Sequence, residues 1–250
     1  MKNTSITCRN CQQHFHGHYC SNCGQPANTH DINFHFLWHD IQHGFFHFDK
    51  GIFYTARQLF TRPGHSIREF IEGKRVQHFK PISLVILLAT VYGLLSHTFH
   101  INVLSEIKIT GIGNDEINAQ QIKEWIDTHY AWVSLLTLPF YALATFTAFR
   151  KQGYNFMEHL VLNAFLAGQR LFLHIAVFPI IYFLNDTPNL ESINGFMNFT
   201  DFILMLWAYS QFFNNMSKIK TFWRTLYMFV VFTASIVLLV GLGVVALSFL

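Results

Sequence analysis

Four cysteines carry the most legible chemistry in this chain. They are Cys8, Cys11, Cys20 and Cys23, in the segment CRNCQQHFHGHYCSNCGQ, and the sequence holds no others. Two C-x-x-C pairs a short hairpin apart can each offer two thiolates to one tetrahedral Zn²⁺, as in a small zinc ribbon. A head this short buries too little apolar surface to fold alone, so metal binding would supply most of its folding free energy. Four thiolates close the coordination shell. The site therefore reads as structural rather than catalytic, with Zn²⁺ as the expected cofactor and iron as the other metal such a set accepts. Two disulfides are the alternative and would need an oxidising compartment. A redox-active dithiol would want a βαβ pattern, which neither pair has around it. Gly24, directly after the second pair, suits the left-handed backbone of a knuckle turn. His14, His16 and His18, between the pairs, read as polar residues on an exposed hairpin.

Histidine makes a second pattern. His35, His39, His43 and His47 recur every four residues, while Phe34, Leu37, Trp38, Ile41, Phe45, Phe48 and Ile52 fall on another face of the same helical wheel. That spacing predicts an amphipathic helix lying in a membrane interface. A histidine-rich membrane metal centre would need further clusters on other helices, and the remaining histidines are scattered. The stripe therefore reads as a polar face, with pH-dependent membrane contact as an intermediate reading. Further on, Pro63-Gly64 marks a turn, and Ser66 with Glu69 suggests a capping box opening a short helix that Gly73 ends. Lys74, Arg75 and Lys80 cluster just before the first long apolar run, where they can meet an anionic headgroup or phosphate or simply anchor the chain.

A third pattern lies inside an apolar run. His159, Asn163, Arg170 and His174 share one helical face. A charge at bilayer depth costs several kcal/mol unless paired or hydrated. Arg170 therefore either faces the interior of a bundle, with Asp201 as a candidate partner, or snorkels at the membrane edge if the run breaks into an interfacial piece ending at Gln169 and a span from Leu171. Glu158 lies too far along a straight helix to reach it.

These groups must be positioned by membrane helices. The chain has 250 residues, 51% hydrophobic and only 12% charged, about half the charge of an ordinary soluble domain. The apolar residues gather in runs at 82–99, 131–149, about 160–184, 199–213 and 226–250. Each is near the length that crosses about 30 Å of hydrocarbon. Five spans are expected, the fourth being the shortest. Lys and Arg concentrate before the first run, at Arg150 and Lys151, and at Lys218, Lys220 and Arg224, while the two other loops are mostly acidic. The positive-inside rule then puts the N-terminus in the cytosol and the C-terminus outside. No signal peptide is visible, so targeting is expected from the first span. The formal charge of +3 is spent on topology, and no nucleic-acid partner is expected.

The segments CRNC…YCSNCGQ, DKGIFYTARQLFTRPGHSIREFIEGKRVQHFKP and, more weakly, YNFMEHLVLNAFLAGQR resemble an uncharacterised bacterial family of membrane proteins, a domain of unknown function. Its frame falls on Thr55, Pro63, Gly64, Ile67, Gly73, Lys74, Arg75 and Pro81. The resemblance implies a four-cysteine ribbon joined to a multi-span helical region, and it implies no activity.

The expected fold is an all-α integral membrane helical bundle of about five transmembrane helices, with a small N-terminal zinc-ribbon head (1–28), interfacial helices and a basic pre-span motif (29–81), and the bundle itself (82–250). Three functions are compatible. The head can serve as a cytoplasmic docking or assembly module on a membrane-embedded bundle. The polar stripe can line a path in a small transporter or channel-like component. The basic motif, with His65, His78 or Glu72, can serve an enzyme acting on a lipid or lipid-linked phosphate. The expected setting is a bacterial inner (plasma) membrane crossed several times. The expected partners are the lipid bilayer, a cytoplasmic protein reached through the ribbon, and further copies of the chain.

Overall fold

The computed structural model describes residues 5–29, 32–34, 51–101, 125–126, 128–185 and 187–248. The histidine stripe at His35, His39, His43 and His47 lies outside them. Two short strands, β1 (Ile6–Thr7) and β2 (His14–Phe15), pair antiparallel with Ile6 opposite Phe15. Helices follow: α1 (Gly51–Thr61), α2 (Pro63–Ile71), α3 (Pro81–Thr98), α4 (Tyr130–Phe149), α5 (Phe156–Leu184), α6 (Asn189–Phe212) and α7 (Lys218–Ser248).

Local chemistry sets several boundaries. Pro63 and Pro81 each open a helix, where a missing N–H costs nothing. The expected cap at Ser66 is not formed. The helix starts earlier, at Pro63 with Arg62 as an N-cap that makes no side-chain bond, so Ser66 sits inside it. Gly73, at φ 112°, ends α2 as expected. Its N–H reaches the Phe70 carbonyl and that of Lys74 reaches Glu69, the paired bonds of a Schellman motif. Asn155 and Glu158 form the capping box that starts α5.

The run around Arg170 is one unbroken 29-residue helix rather than two pieces. Four helices are long and apolar enough to cross a membrane: α3, α4, α5 and the Lys218–Leu239 part of α7. Helix α6 has 24 residues, about 36 Å, but its first thirteen carry Glu191, Asn194, Asn198 and Asp201 and are less apolar.

Helix α5 is the centre of the bundle, touching α1, α2, α3, α4 and α6, while α7 packs against α4 and α6. Small residues let the helices approach, as in lipid, where packing rather than water exclusion holds helices together. Ala89, Ala142, Ala144, Ala164 and Ala208 are fully buried.

The five long helices alternate in direction. The end of α4 meets the start of α7, where the Arg224 guanidinium donates to the Ala148 carbonyl (2.9 Å). That end also stacks on the end of α6, with the Phe149 and Phe213 rings 4.1 Å apart. The head, α1 and α2 sit at this same end, because the Gly64 N–H donates to Gln211 at the end of α6. At the opposite end Phe99 packs on Tyr182.

Candidate functional site: a thiol centre on the pre-span motif, and a polar cavity in the bundle

In the head, the sulfurs of Cys8, Cys11, Cys20 and Cys23 all lie within 4.8 Å of one another. Two of the separations, Cys8–Cys23 and Cys11–Cys20, are 3.5 Å. A tetrahedral metal with bonds of about 2.3 Å needs edges of roughly 3.8 Å, so the donor set fits one ion. The two knuckles repeat the same turn. Gln12 donates its N–H to the Cys8 carbonyl as Gly24 does to Cys20, and both adopt positive φ, 62° and 74°. Glycine answers that demand in one knuckle, whereas Gln12 accepts it and adds a side-chain bond to the Arg9 carbonyl. As thiols, Cys8 and Cys11 differ. Burial pushes Cys8 up to about 11, while the Gln13 N–H and the Asn22 side chain lower Cys11 to about 6. A bound metal would hold all four as thiolates.

The head is seated on the pre-span motif. Gln25, buried, donates to the Gly73 carbonyl (2.7 Å) and to Thr29 (2.9 Å). A Cβ at Gly73 would lie 2.8 Å from the Arg9 Cδ, a side chain that can move aside, so the firmer demand for glycine is the positive φ of 112°. After the head, Ile32 joins the core of the bundle, and its carbonyl accepts from Asn155 at the start of α5 (3.4 Å).

The motif residues divide between scaffold and cleft. Thr55 accepts the Phe79 N–H (2.7 Å), tying α1 to the turn before α3. Gly64 lies flat against the backbone of α6, and Ile67 is buried. Lys74, Arg75 and Lys80 do not converge. Arg75 folds back onto the Phe70 and Ile71 carbonyls and over the Phe70 ring. Lys80 is the N-cap residue of α3. Lys74 instead reaches Glu69 (3.2 Å), which also holds Arg62 (2.7 Å). Burial pushes the Glu69 carboxyl up, but the bonds from Arg62 and Lys74 outweigh it and hold it below its usual range.

These three, with Tyr54, Gln77 and His78, face Cys11 and Cys23 across a cleft of about 410 Å³. His78 bonds Ser66 (2.8 Å) and sits among the rings of Tyr54, Phe70 and Phe165. Burial lowers it to about 4, so it is neutral at pH 7. His65 and Glu72 are exposed and do not line this cleft.

The polar stripe of α5 splits in two. His159 and Asn163 are buried toward the head end. Asn163 donates to Thr145 (2.8 Å) and accepts from the Tyr209 hydroxyl (3.0 Å), a closed network across three helices. His159 lies among Phe146, Tyr154 and Phe213. Arg170 and His174 face a cavity instead, together with Asp201, Tyr92, Tyr130 and Tyr141. His174 bonds Asp201 (2.9 Å). Asp201 is thus engaged by the histidine, while Glu158 caps its own helix.

Sequence reasoning missed Gln25, Arg62, Gln169 and Tyr209. Gln169 donates to the Leu59 carbonyl (2.6 Å) and fixes α1 to α5. A buried amide inside an apolar run was the available signal for Gln169, and Arg62 has its partners Gln58 and Glu69 within seven residues, whereas Gln25 and Tyr209 reach Gly73 and Asn163 far along the chain.

A search of curated proteins and one of solved structures found no match. Residues 49–93 match the model of a family described as "Protein of unknown function (DUF3667)". The matched stretch covers α1, α2, the Gly73 turn and most of α3, and it excludes the four cysteines. The chain is therefore similar to that family over the motif that seats the head.

Proposed function

We propose that this is an integral membrane protein in which a Zn²⁺-holding head works as an assembly module for a five-span bundle. The observation that carries the reading is the seat of the head, with the Gln25 side chain on the Gly73 carbonyl and Ile32 inside the bundle core. The head's nearest partner is its own pre-span motif, and the open edge of the cleft at Arg62 and Lys74 is where a cytoplasmic protein or an anionic headgroup would meet it.

Helix α6 counts as the fifth span because it runs the length of the bundle between neighbours of opposite direction. With five crossings, Arg150, Lys151, Lys218, Lys220 and Arg224 share the head's side, which supports a cytosolic N-terminus and an outer C-terminus in a bacterial plasma membrane. A lipid-phosphate enzyme is supported less, because Arg75 folds back onto the end of α2 and neither it nor Lys80 lines the cleft that Lys74 and His78 share.

The test is metal analysis and thermal unfolding of the detergent-purified chain beside Cys8→Ser plus Cys23→Ser. About one zinc per chain is expected, lost in the variant, with a lower unfolding temperature because a ligand that binds only the folded state stabilises it. A metal-free wild type, or a variant that unfolds at the wild-type temperature, overturns the reading.

A further inference from the structure

The cavity around Arg170 has the chemistry of a binding site that the head does not explain. Arg170 is the fifteenth of the 29 residues of α5, about 21 Å from either end of the helix. It forms no direct ion pair among the described residues: Tyr130 bonds it, and Asp201, the one acidic side chain lining the cavity, bonds His174 and acts on Arg170 only through space. The cavity measures about 350 Å³, and an adjoining space of about 260 Å³ shares Ser134, Thr137, Tyr141, Arg170 and Asp201 as its wall. Toward the head the Asn163–Thr145–Tyr209 network and the stacked Phe149 and Phe213 rings close the bundle. Away from the head the cavity continues to Ile101, Ile126 and Leu190.

A guanidinium held at this depth by one phenol and a carboxylate that does not touch it is costly unless something else meets it. Its planar fork suits a carboxylate, which it can bind through two parallel bonds. The rest of the lining sets the class further. Val133, Ile181, Met197 and Phe232 offer apolar wall, and the tyrosines offer rings with hydroxyl tips. A second negative charge on the ligand would face Asp201, and no second Lys or Arg among the described residues lines the cavity to receive it. We propose that this cavity binds a small organic monocarboxylate, its carboxylate on Arg170 and its apolar body toward the end opposite the head.

The test uses the full metal-loaded chain in nanodiscs, with thermal stabilisation and calorimetric binding as readouts. The probes are benzoate, its neutral counterpart benzamide, the dianion terephthalate, and octanoate. Benzoate is expected to bind at least about tenfold more tightly than benzamide or terephthalate, a difference of about 1.4 kcal/mol. Arg170→Gln is expected to remove the preference over benzamide. Ser134→Phe, which narrows the cavity and leaves Arg170 in place, is expected to weaken benzoate without losing the fold. Preference for octanoate over benzoate assigns the ligand to the bilayer, and the reverse assigns it to water. The proposal falls if benzamide binds as well as benzoate, if no carboxylate binds the wild type, or if Ser134→Phe binds benzoate undiminished.

Discussion

Gly64→Ala is the sharpest single test of how the motif works. A Cβ at Gly64 would sit 2.5 Å from the Gln211 Cβ, where ordinary contact begins at 3.4 Å. It would lie closer still to the Ala208 carbonyl oxygen and the Phe212 nitrogen, which are helix backbone and cannot rotate away. Helices α2 and α6 must therefore separate by about 1 Å, enough to forfeit a quarter to a half of each dispersion contact along the seam. The same movement strains the bonds from the Gly64 N–H and the Arg68 side chain to Gln211, each worth about 1 kcal/mol. Overpacking of this kind costs roughly 1–3 kcal/mol, and the rigid obstacle places Gly64→Ala near the upper end. For a chain of this size that is a fall of roughly 6–12 °C in Tm. The assay is thermal unfolding of purified protein followed by tryptophan fluorescence. Gly195→Ala in α6 is the control, since a Cβ there meets nothing within 4 Å and should raise Tm slightly through helix propensity. A Gly64→Ala protein as stable as wild type, or an equal loss in Gly195→Ala, would refute the close-approach argument.

Two further outcomes follow from the head and its seat. Gly73→Ala should cost about 1–3 kcal/mol, because φ 112° is a glycine conformation. A second change, Arg9→Ala, should not restore it, since the side chain can yield and the backbone cannot; metal release to a chelator, timed by absorbance, should be faster in both variants. His78 is held neutral by burial, with its pKa lowered from 6.5 to about 4. The folded state therefore binds fewer protons than the unfolded one below pH 6.5, so stability is fully present above that pH and falls as the pH drops toward 4. The full effect is about 3 kcal/mol. His78→Asn should flatten that slope relative to wild type in unfolding curves between pH 4 and 7, and parallel slopes would disprove the assignment.

Much of the architecture is written locally. The spacing of Cys8, Cys11, Cys20 and Cys23 determines a metal-sized cluster, because two C-x-x-C turns each carry their own geometry with few other requirements. The long apolar runs determine membrane-length helices for a similar reason: their composition leaves no soluble alternative. The glycine that ends α2 was legible too, since only local backbone angles are involved. The cap at Ser66 was misread because Pro63 offered an earlier start, and a proline at the first position competes well with a side-chain cap.

What tertiary structure alone decided is which polar groups meet. Lys74, Arg75 and Lys80 look alike in sequence, yet one enters the cleft, one covers the end of the helix before it and one precedes the next. His159, Asn163, Arg170 and His174 share a face of α5. The helices packed against its two halves nonetheless make one half a closed hydrogen-bond network and the other a cavity wall. Partners such as Tyr209 for Asn163, or Gly73 for Gln25, are separated by 46 and 48 residues. Short-range pattern has no hold over such pairs. Their choice depends on how closely the packed elements approach, as at the α2–α6 seam, where the missing methyl group of Gly64 permits the contact.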